Sequence, residues 1–245
     1  MQQTLHYDFV GGHILVEHGL HRLLLDTGAP SSIGTLPTVA LADRRHPLGS
    51  EYGGVTAKSM CAQIGVETHA ILGGDILNNY DIVIDPEICD ITFSDAHFDI
   101  EGEVLELGLR GEIPFVTASV QGTRVKMSFD TGAPLSYLSR DMNRQHAPLR
   151  IEEDFHPRAG TSRVATYQVP ITLGQDTLEY RVGTMPSSLQ RALRAVDIEG
   201  ILGTALLRYF IVCFSPRRRK LILKKRSARN GALSAHGAVD KAAHG

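Results

Sequence analysis

Short apolar runs, broken by glycine, proline and polar turns, make up most of this chain. Residues 23–25 and 125–129 are two such runs, and both have the length of strands. Residues 220–224 alternate polar and apolar side chains, as a strand with one buried face does. Helical patterns are confined to three short stretches, at residues 76–80, 187–195 and 205–209. The pattern therefore predicts a mostly β protein with few short helices.

One succession of elements occurs twice. The first apolar run leads into Asp26-Thr27-Gly28-Ala29-Pro30, and the second leads into the same five residues 104 positions later, at 130–134. Further along each half, Ile71-Leu72-Gly73 and Ile201-Leu202-Gly203 end an apolar strand, before a short helix and another strand closed by proline. Because motif, spacing and context all repeat, the sequence predicts two homologous lobes.

The duplicated aspartate suggests paired-carboxylate chemistry. Two aspartates delivered by equivalent turns can share one proton, so that one acts as base on a water while the other acts as acid. Glycine after Asp-Thr allows the opposite loop to approach closely, and a threonine hydroxyl can bond the backbone across the interface. The alternative is a pair of Asp-capped turns in a duplicated β domain, because turns that end in glycine are common.

These motifs resemble the aspartic peptidases. Asp-Thr-Gly-Ala followed later by Leu-Gly resembles the retropepsin lobe, and two lobes in one chain resemble the bilobal pepsin arrangement, over roughly residues 5 to 226. The resemblance implies an all-β fold of two retropepsin-like or pepsin-like β-barrel lobes with an active-site cleft between them. It implies an aspartic endopeptidase in which Asp26 and Asp130 activate a water, with a peptide or protein substrate and neither cofactor nor metal.

The same resemblance implies roles for the neighbouring residues. Thr27 and Thr131 match the threonines that cross-brace the two loops, and Gly28 and Gly132 match the tight-turn glycines.

A closing flap is expected between each aspartate and its Leu-Gly. In the first half, Tyr52-Gly53-Gly54 carries a hairpin-turn signal, and Tyr52 resembles the pepsin flap tyrosine. The alternative is an exposed turn without substrate contact. In the second half, residues 158–162 form either a second flap or an ordinary loop.

The two halves differ in length. Asp26 and Gly73 are 47 positions apart, whereas Asp130 and Gly203 are 73 apart, and we expect the extra residues around 169–174 and 185–199. A single chain tolerates such asymmetry, so no dimer is needed to assemble the aspartate pair.

The repeat also sets the expected domain boundaries. The first lobe is placed at 1–98, a connector with a strand that joins the lobes at 99–111, the second lobe at 112–226, and a disordered Ala/Gly/His-rich tail at 227–245.

The two aspartate loops differ from those of many aspartic peptidases at two positions. Pepsin-like enzymes commonly place Ser or Thr where this chain has Ala29 and Ala133, and losing that hydroxyl should raise the pKa of the aspartate pair. The hypothesis that follows is activity at mildly acidic to near-neutral pH. Pro30 and Pro134 remove a backbone N–H where many retroviral enzymes have a substrate-binding Asp, so specificity is not transferred from those enzymes.

Composition narrows the possible classes of protein. With 245 residues, 42% hydrophobic, the chain can bury a substantial core, and its formal net charge is −2. Cys61, Cys89 and Cys213 lack metal-ligand spacing and are expected to be reduced thiols. No run of about 20 apolar residues predicts a membrane span, and the N-terminus lacks a secretory pattern. We therefore expect a cytoplasmic, bacterial protein.

Two other clusters of residues and one other class of function are compatible with the sequence. His13, His18 and His21 lack metal spacing and are predicted to lie on a solvated hairpin. The basic segment 217–229 carries eight of the chain's 25 Lys and Arg residues and could contact nucleic acid or an anionic membrane, although a solvated hairpin and tail is the favoured interpretation. Nucleic-acid binding through this basic segment would be salt-sensitive.

The main alternative to the peptidase is a catalytically silent peptide-binding module on the same scaffold.

Overall fold

The computed structural model describes residues 1–156 and 160–227. Strands dominate, and the helices are short. The first half contains β1 (Gln2–Val10), β2 (His13–His18), β3 (His21–Leu25), β4 (Ile33–Gly34), β5 (Thr38–Leu41), β6 (Arg44–Pro47), α1 (Ala57–Ile64), β7 (Ala70–Leu72), α2 (Gly74–Leu77), β8 (Asp81–Asp85) and β9 (Asp90–Ser94).

The second half repeats this order with longer strands. It contains β10 (Glu103–Glu106), β11 (Gly108–Arg110), β12 (Ile113–Val120), β13 (Thr123–Phe129), β14 (Ser136–Leu138), α3 (Arg140–Asn143), β15 (Pro148–His156), β16 (Gly160–Leu173), β17 (Asp176–Thr184), α4 (Ser187–Arg194), β18 (Gly200–Leu202), β19 (Phe210–Ser215) and β20 (Lys220–Lys225), with 3-10 turns at Thr204–Arg208 and Pro216–Arg218.

Two large sheets carry the fold. The first has the order β10-β20-β19-β8-β9-β1-β2-β3-β7-β4, and the second has the order β11-β12-β13-β18-β14-β17-β16-β15. An additional pairing of β12 with β16 joins two strands that stand far apart in the second sheet, as in a barrel. The prediction of an all-β fold with two homologous lobes is confirmed.

The first sheet crosses from one lobe to the other. Strand β19 of the second half pairs with β8 of the first, with Val212 opposite Ile84, and β20 continues the sheet to β10. The apolar core is shared in the same way, because one cluster of buried side chains contains Leu25 and Ile84 of the first half together with Phe129 and Phe214 of the second. The lobes therefore share one continuous sheet and one main core.

Each half places its aspartate by the same local rule. Strands β3 and β7 run parallel with Leu25 opposite Leu72, and β13 and β18 run parallel with Phe129 opposite Leu202. In both halves the Asp-Thr-Gly turn leaves the end of the central strand, beside the buried Leu-Gly.

The helices correct the predicted pattern in one respect. Helices were expected at residues 76–80, 187–195 and 205–209, and the structure has α2, α4 and a 3-10 turn close to these positions. Helix α1 was not predicted, although its ends carry signals: Thr56 and Ser59 form a capping box, and Gly65 ends the helix at a φ of 69°.

Helix α1 and α4 occupy equivalent places, each leading into the strand before Leu-Gly. The expectation that residues 185–199 are additional to the second lobe is therefore wrong. The extra length lies in the long strands β15, β16 and β17, where the first lobe has the short hairpin β5–β6.

Some expectations fall on the edges of the described residues. The predicted tail lies outside them beyond residue 227, and so do residues 158 and 159 of the second flap candidate, whereas 160–162 begin β16. Within the ranges 1–156 and 160–227, no helix has the length and apolar character needed to cross a bilayer. All three cysteines are free.

Candidate active site

The two Asp-Thr-Gly turns face each other at the junction of the lobes. The amide of Asp26 donates to the carbonyl of Leu72 at 2.9 Å, and that of Asp130 donates to Leu202 at 3.0 Å. A Cβ added to Gly28 would lie 2.3 Å from Cγ of Asp130, and a Cβ added to Gly132 would lie 2.3 Å from Cγ of Asp26. Only glycine permits this approach, and it brings the two carboxyl groups together.

The threonines connect the turns reciprocally. The backbone N–H of Thr27 donates to Oγ1 of Thr131 at 3.0 Å, and the N–H of Thr131 donates to Oγ1 of Thr27 at 3.0 Å. Each hydroxyl then donates across the interface, Thr27 to the carbonyl of Phe129 at 2.6 Å and Thr131 to that of Leu25 at 3.0 Å. These four buried bonds fix the two turns relative to each other.

Backbone amides orient the carboxylates. Oδ1 of Asp26 accepts from the N–H groups of Gly28 at 3.0 Å and Ala29 at 2.9 Å, and Oδ1 of Asp130 accepts from Gly132 at 2.9 Å. These backbone N–H groups therefore hold each aspartate side chain in a fixed orientation.

Burial raises the pKa values of both aspartates. The pKa of Asp130 is raised more than that of Asp26, because the negative charge of Asp26 adds to the effect of burial. Two carboxyl groups in such contact titrate as a pair and retain one proton over a range of pH. The sequence predicted raised pKa values from the alanines after glycine, but burial is the largest cause.

A cleft of about 680 Å³ opens above the aspartates. Its walls are largely apolar and come from both lobes: Met60 and Ile64 of α1 on one side, Leu189 and Leu193 of α4 on the other. A polar floor between apolar walls suits an extended chain whose side chains are partly buried.

The predicted flap has a different form from the one expected. Tyr52 and Val55 exchange backbone hydrogen bonds of 2.9 and 3.1 Å around Gly53 and Gly54, whose φ values are 60° and 81°. This is a two-residue turn at the start of α1 rather than the tip of a long hairpin. Tyr52 and Gly53 line the cleft, and Gly54 does not.

The long hairpin belongs to the second lobe. Strands β15 and β16 pair from Pro148 opposite Tyr167 to His156 opposite Gly160, and Asp154 of this hairpin lines the cleft. Tyr137 of β14, which also lines the cleft, donates its hydroxyl to Asp154. Sequence reasoning missed this tyrosine, and no spacing signal marked it.

A buried serine supports each turn from below. Oγ of Ser32 accepts from the N–H of Gly73 at 2.8 Å, and Oγ of Ser136 accepts from Gly203 at 3.1 Å. Both serines stand six residues after their aspartate, so a fuller alignment of the two repeats would have revealed them. In the first lobe alone, Asp75 accepts from the Ser32 hydroxyl at 2.5 Å.

The histidine expectation needs a correction. His13 is not solvated: it is 7% exposed and lines the cleft. The turn before it packs against the second aspartate loop, which removes its side chain from solvent. His18 and His21 are half-buried.

The basic segment is also less solvated than expected. Arg217 and Arg218 form ion pairs of 3.0 and 3.3 Å with Asp81, which is fully buried, and Lys225 pairs with Asp176 at 2.6 Å. Part of its charge therefore holds the inter-lobe sheet together.

No cluster of three or more His, Cys, Asp or Glu side chains is placed to bind a metal in the part of the chain that the structure describes. The polar groups along the cleft include the two carboxyl groups, the imidazole of His13, and the side chains of Tyr52, Arg110, Glu112, Tyr137 and Asp154.

Comparison with solved structures identifies the fold. An aspartic proteinase from Irpex lacteus superposes with a TM-score of 0.53 at 13% identity, covering 93% of this chain and 98% of that one. The chain has a pepsin-like fold.

Two shorter structures match part of the chain with lower scores. A retropepsin-like aspartic protease from Rickettsia conorii matches at 17% identity and a TM-score of 0.37, covering 52% of this chain and 96% of its own. The simian foamy virus protease matches at 16% identity and 0.28, covering 36% and 86%. No protein-family model matches the sequence, and neither does any curated protein sequence.

Proposed function

We propose that this protein is an aspartic endopeptidase that hydrolyses peptide bonds with a water activated by Asp26 and Asp130. The observation that carries the proposal is the pair of carboxyl groups brought together by reciprocal bonds of identical turns. A protein without catalysis gains nothing from burying two carboxyl groups in contact, because each raises the cost of ionising the other.

The proposed reaction needs one proton on the pair. The ionised carboxylate takes a proton from a water bound between the aspartates, and the resulting hydroxide attacks the carbonyl carbon of the substrate. The protonated carboxyl group donates its proton to the carbonyl oxygen, which gives a tetrahedral diol. One aspartate then donates its proton to the amide nitrogen while the other takes a proton from a hydroxyl of the diol. The C–N bond breaks, the carboxylic acid and amine products form, and the pair again holds one proton.

The cleft favours an extended peptide as substrate. It runs between α1 and α4, with Tyr52 and Gly53 on one side and the β15–β16 hairpin on the other. Backbone groups along such a cleft can pair with a peptide in β conformation, while the apolar walls accept its side chains.

The competing function is a silent peptide-binding module. It gained support from the short first lobe, since a displacement of about 1 Å in one loop is enough to cost about 10²-fold in rate. The corresponding bonds of the two turns differ by no more than 0.4 Å in length, which favours the enzyme.

The test is cleavage of a diverse peptide library between pH 3 and 8 by the native chain, by Asp26→Asn and by Asp130→Asn. We expect either substitution to reduce kcat by about 10²- to 10⁴-fold or more. A statine-type transition-state mimic should block the native chain. The raised pKa values of the pair predict a rate optimum above pH 4, since one carboxylate must be ionised while the other stays protonated.

Circular dichroism of both variants serves as the control for folding. Absence of cleavage by the folded native chain, together with tight peptide binding, would establish the silent module instead.

A further inference from the structure

The turn between β1 and β2 carries a side chain that the proposed reaction does not use. His13 begins β2 and closes the hairpin opposite Val10. A Cβ on Gly12 would lie 2.5 Å from Cβ of Pro134, and Oγ1 of Thr204 donates to the carbonyl of Gly12 at 2.7 Å. The first lobe's turn is therefore fixed against the second aspartate loop, and the imidazole has a fixed place.

This imidazole is buried but incompletely bonded. It is 7% exposed, and it lines both the cleft and an adjoining cavity of about 320 Å³. Its Nδ1 has no hydrogen-bond partner among residues 1–156 and 160–227. Buried polar atoms in folded proteins are normally bonded, so an unpaired ring nitrogen at the wall of a cleft points to a ligand.

The protonation state fits a hydrogen-bonding role. Burial lowers the pKa of His13 to about 4, against a weak opposing effect of the Gly132 carbonyl. The ring is therefore neutral across the mildly acidic to neutral range, with one N–H and one acceptor nitrogen. Because the Gly132 carbonyl takes the N–H, the acceptor nitrogen is left for the N–H of a peptide unit.

The equivalent position of the other lobe is apolar. Ile113 closes the β11–β12 hairpin opposite Arg110, as His13 closes its own, and it lines the same cleft. Pro30 and Pro134 follow the two aspartate loops, and neither has an N–H for a bound chain. Of the two equivalent hairpin positions, only the one beside Pro134 therefore carries a polar side chain.

We propose that His13 is a substrate-binding residue that accepts a hydrogen bond from a main-chain N–H of a bound peptide on the Pro134 side of the cleft. This inference rests on the proposed peptidase function. A contact of this kind would make recognition of the peptide asymmetric. A polar group would bind its main chain beside Pro134, and an apolar surface would bind its side chains beside Ile113.

The test uses one peptide that the native chain cleaves, together with versions shortened one residue at a time from each end. Steady-state kinetics are measured for the native chain, His13→Leu, His13→Gln and the control His18→Leu, which changes a histidine outside the cleft. For the full peptide, His13→Leu should raise KM roughly three- to tenfold and leave kcat within about twofold. His13→Gln should recover part of the loss, and His18→Leu should match the native chain.

Two further readouts separate binding from structure. Once the peptide is shortened past the contact, the native chain and His13→Leu should have equal KM. The melting temperature of His13→Leu should equal or exceed that of the native chain, because leucine removes an unpaired buried nitrogen.

Contradicting outcomes are distinct. Equal KM on the full peptide would overturn the role of His13 and leave the peptidase standing. A lower melting temperature, with kcat reduced equally for every peptide, would show that His13 is structural. If the native chain neither cleaves nor binds any peptide, the proposed function fails and the role of His13 fails with it.

Discussion

The two lobes agree in the floor of the cleft and differ in its walls. At the floor, both turns have the same five residues, the same reciprocal threonine bonds and a serine beneath the Leu-Gly. Above it, the first lobe has the short hairpin β5–β6 and the second has the long β15–β16. The two turns must be nearly symmetric for the carboxyl groups to meet, whereas the walls of the cleft need not be symmetric.

The difference also bears on the flap candidates. The sequence offered one in each half, at Tyr52 and at residues 158–162, and the strands that flank the second form the longer hairpin. Asp154 of that hairpin lines the cleft, as Tyr52 does from the first lobe.

The largest expected effect tests the symmetry of the floor. Gly28→Ala and Gly132→Ala should each reduce kcat by at least about 100-fold, because each new Cβ would displace the opposite carboxyl group. Kinetics of both variants check this. A variant that keeps more than about a tenth of the native rate would show that one turn can shift without loss.

The junction of the lobes provides the next test. Asp81→Asn should lower the free energy of unfolding by about 2 kcal/mol, less than for a fully buried pair because Arg217 and Arg218 are partly exposed. Urea denaturation at pH 7 measures it. Asp99→Asn, the same change at an exposed site, is the control.

This loss should depend on pH. Burial raises the pKa of Asp81, but hydrogen bonds from Ser215, His97 and Arg217 together lower it below its usual value. A carboxyl group with a lowered pKa stabilises the fold above its unfolded pKa, and the contribution disappears as pH falls through the folded value. The difference between Asp81→Asn and the native chain should therefore shrink below about pH 4. A constant difference between pH 3 and 7 would contradict the ion-pair interpretation.

The threonines should contribute equally. Thr27→Val and Thr131→Val each leave a buried N–H and a buried carbonyl without a partner, so each should cost about 2 kcal/mol of unfolding free energy. Thr→Ser at the same positions keeps the hydroxyl and should restore most of it. Unequal losses would mean that the turns are not mechanically equivalent.

The smallest effect separates the lobes. Asp75→Ala removes the acceptor of the Ser32 hydroxyl, for which the second lobe has Ala205 at the equivalent position. We expect a loss of about 1 kcal/mol and an unchanged kcat, since the second turn keeps its geometry without such an acid. A clear fall in kcat would indicate that the first turn needs support that the second does not.

The sequence predicted the floor of the site because its determinants are local. Asp26, Thr27 and Gly28 lie in one turn, and the repeat at Asp130 supplied the second half. The strand pattern likewise predicted the β fold, since alternation and Gly/Pro turns are local signals.

The walls were less predictable because they depend on packing between distant segments. Helix α1 carried local signals that were not recognised: caps at Thr56 and Gly65, and apolar residues at helical spacing between them. The burial of His13 accompanies the contact of the neighbouring Gly12 with Pro134, more than 100 positions away, and no local pattern shows it.

The shared sheet has a consequence for the order of synthesis. Strand β19 completes the edge of β8, and β18 holds the second aspartate, so the last described strands must leave the ribosome before either half is finished. Under the proposed function, we therefore expect a nascent chain to cleave no protein until residue 227 has left the ribosome. Ribosome-stalled chains that lack residues 210–227 should show no cleavage, and activity in such a chain would refute this built-in latency.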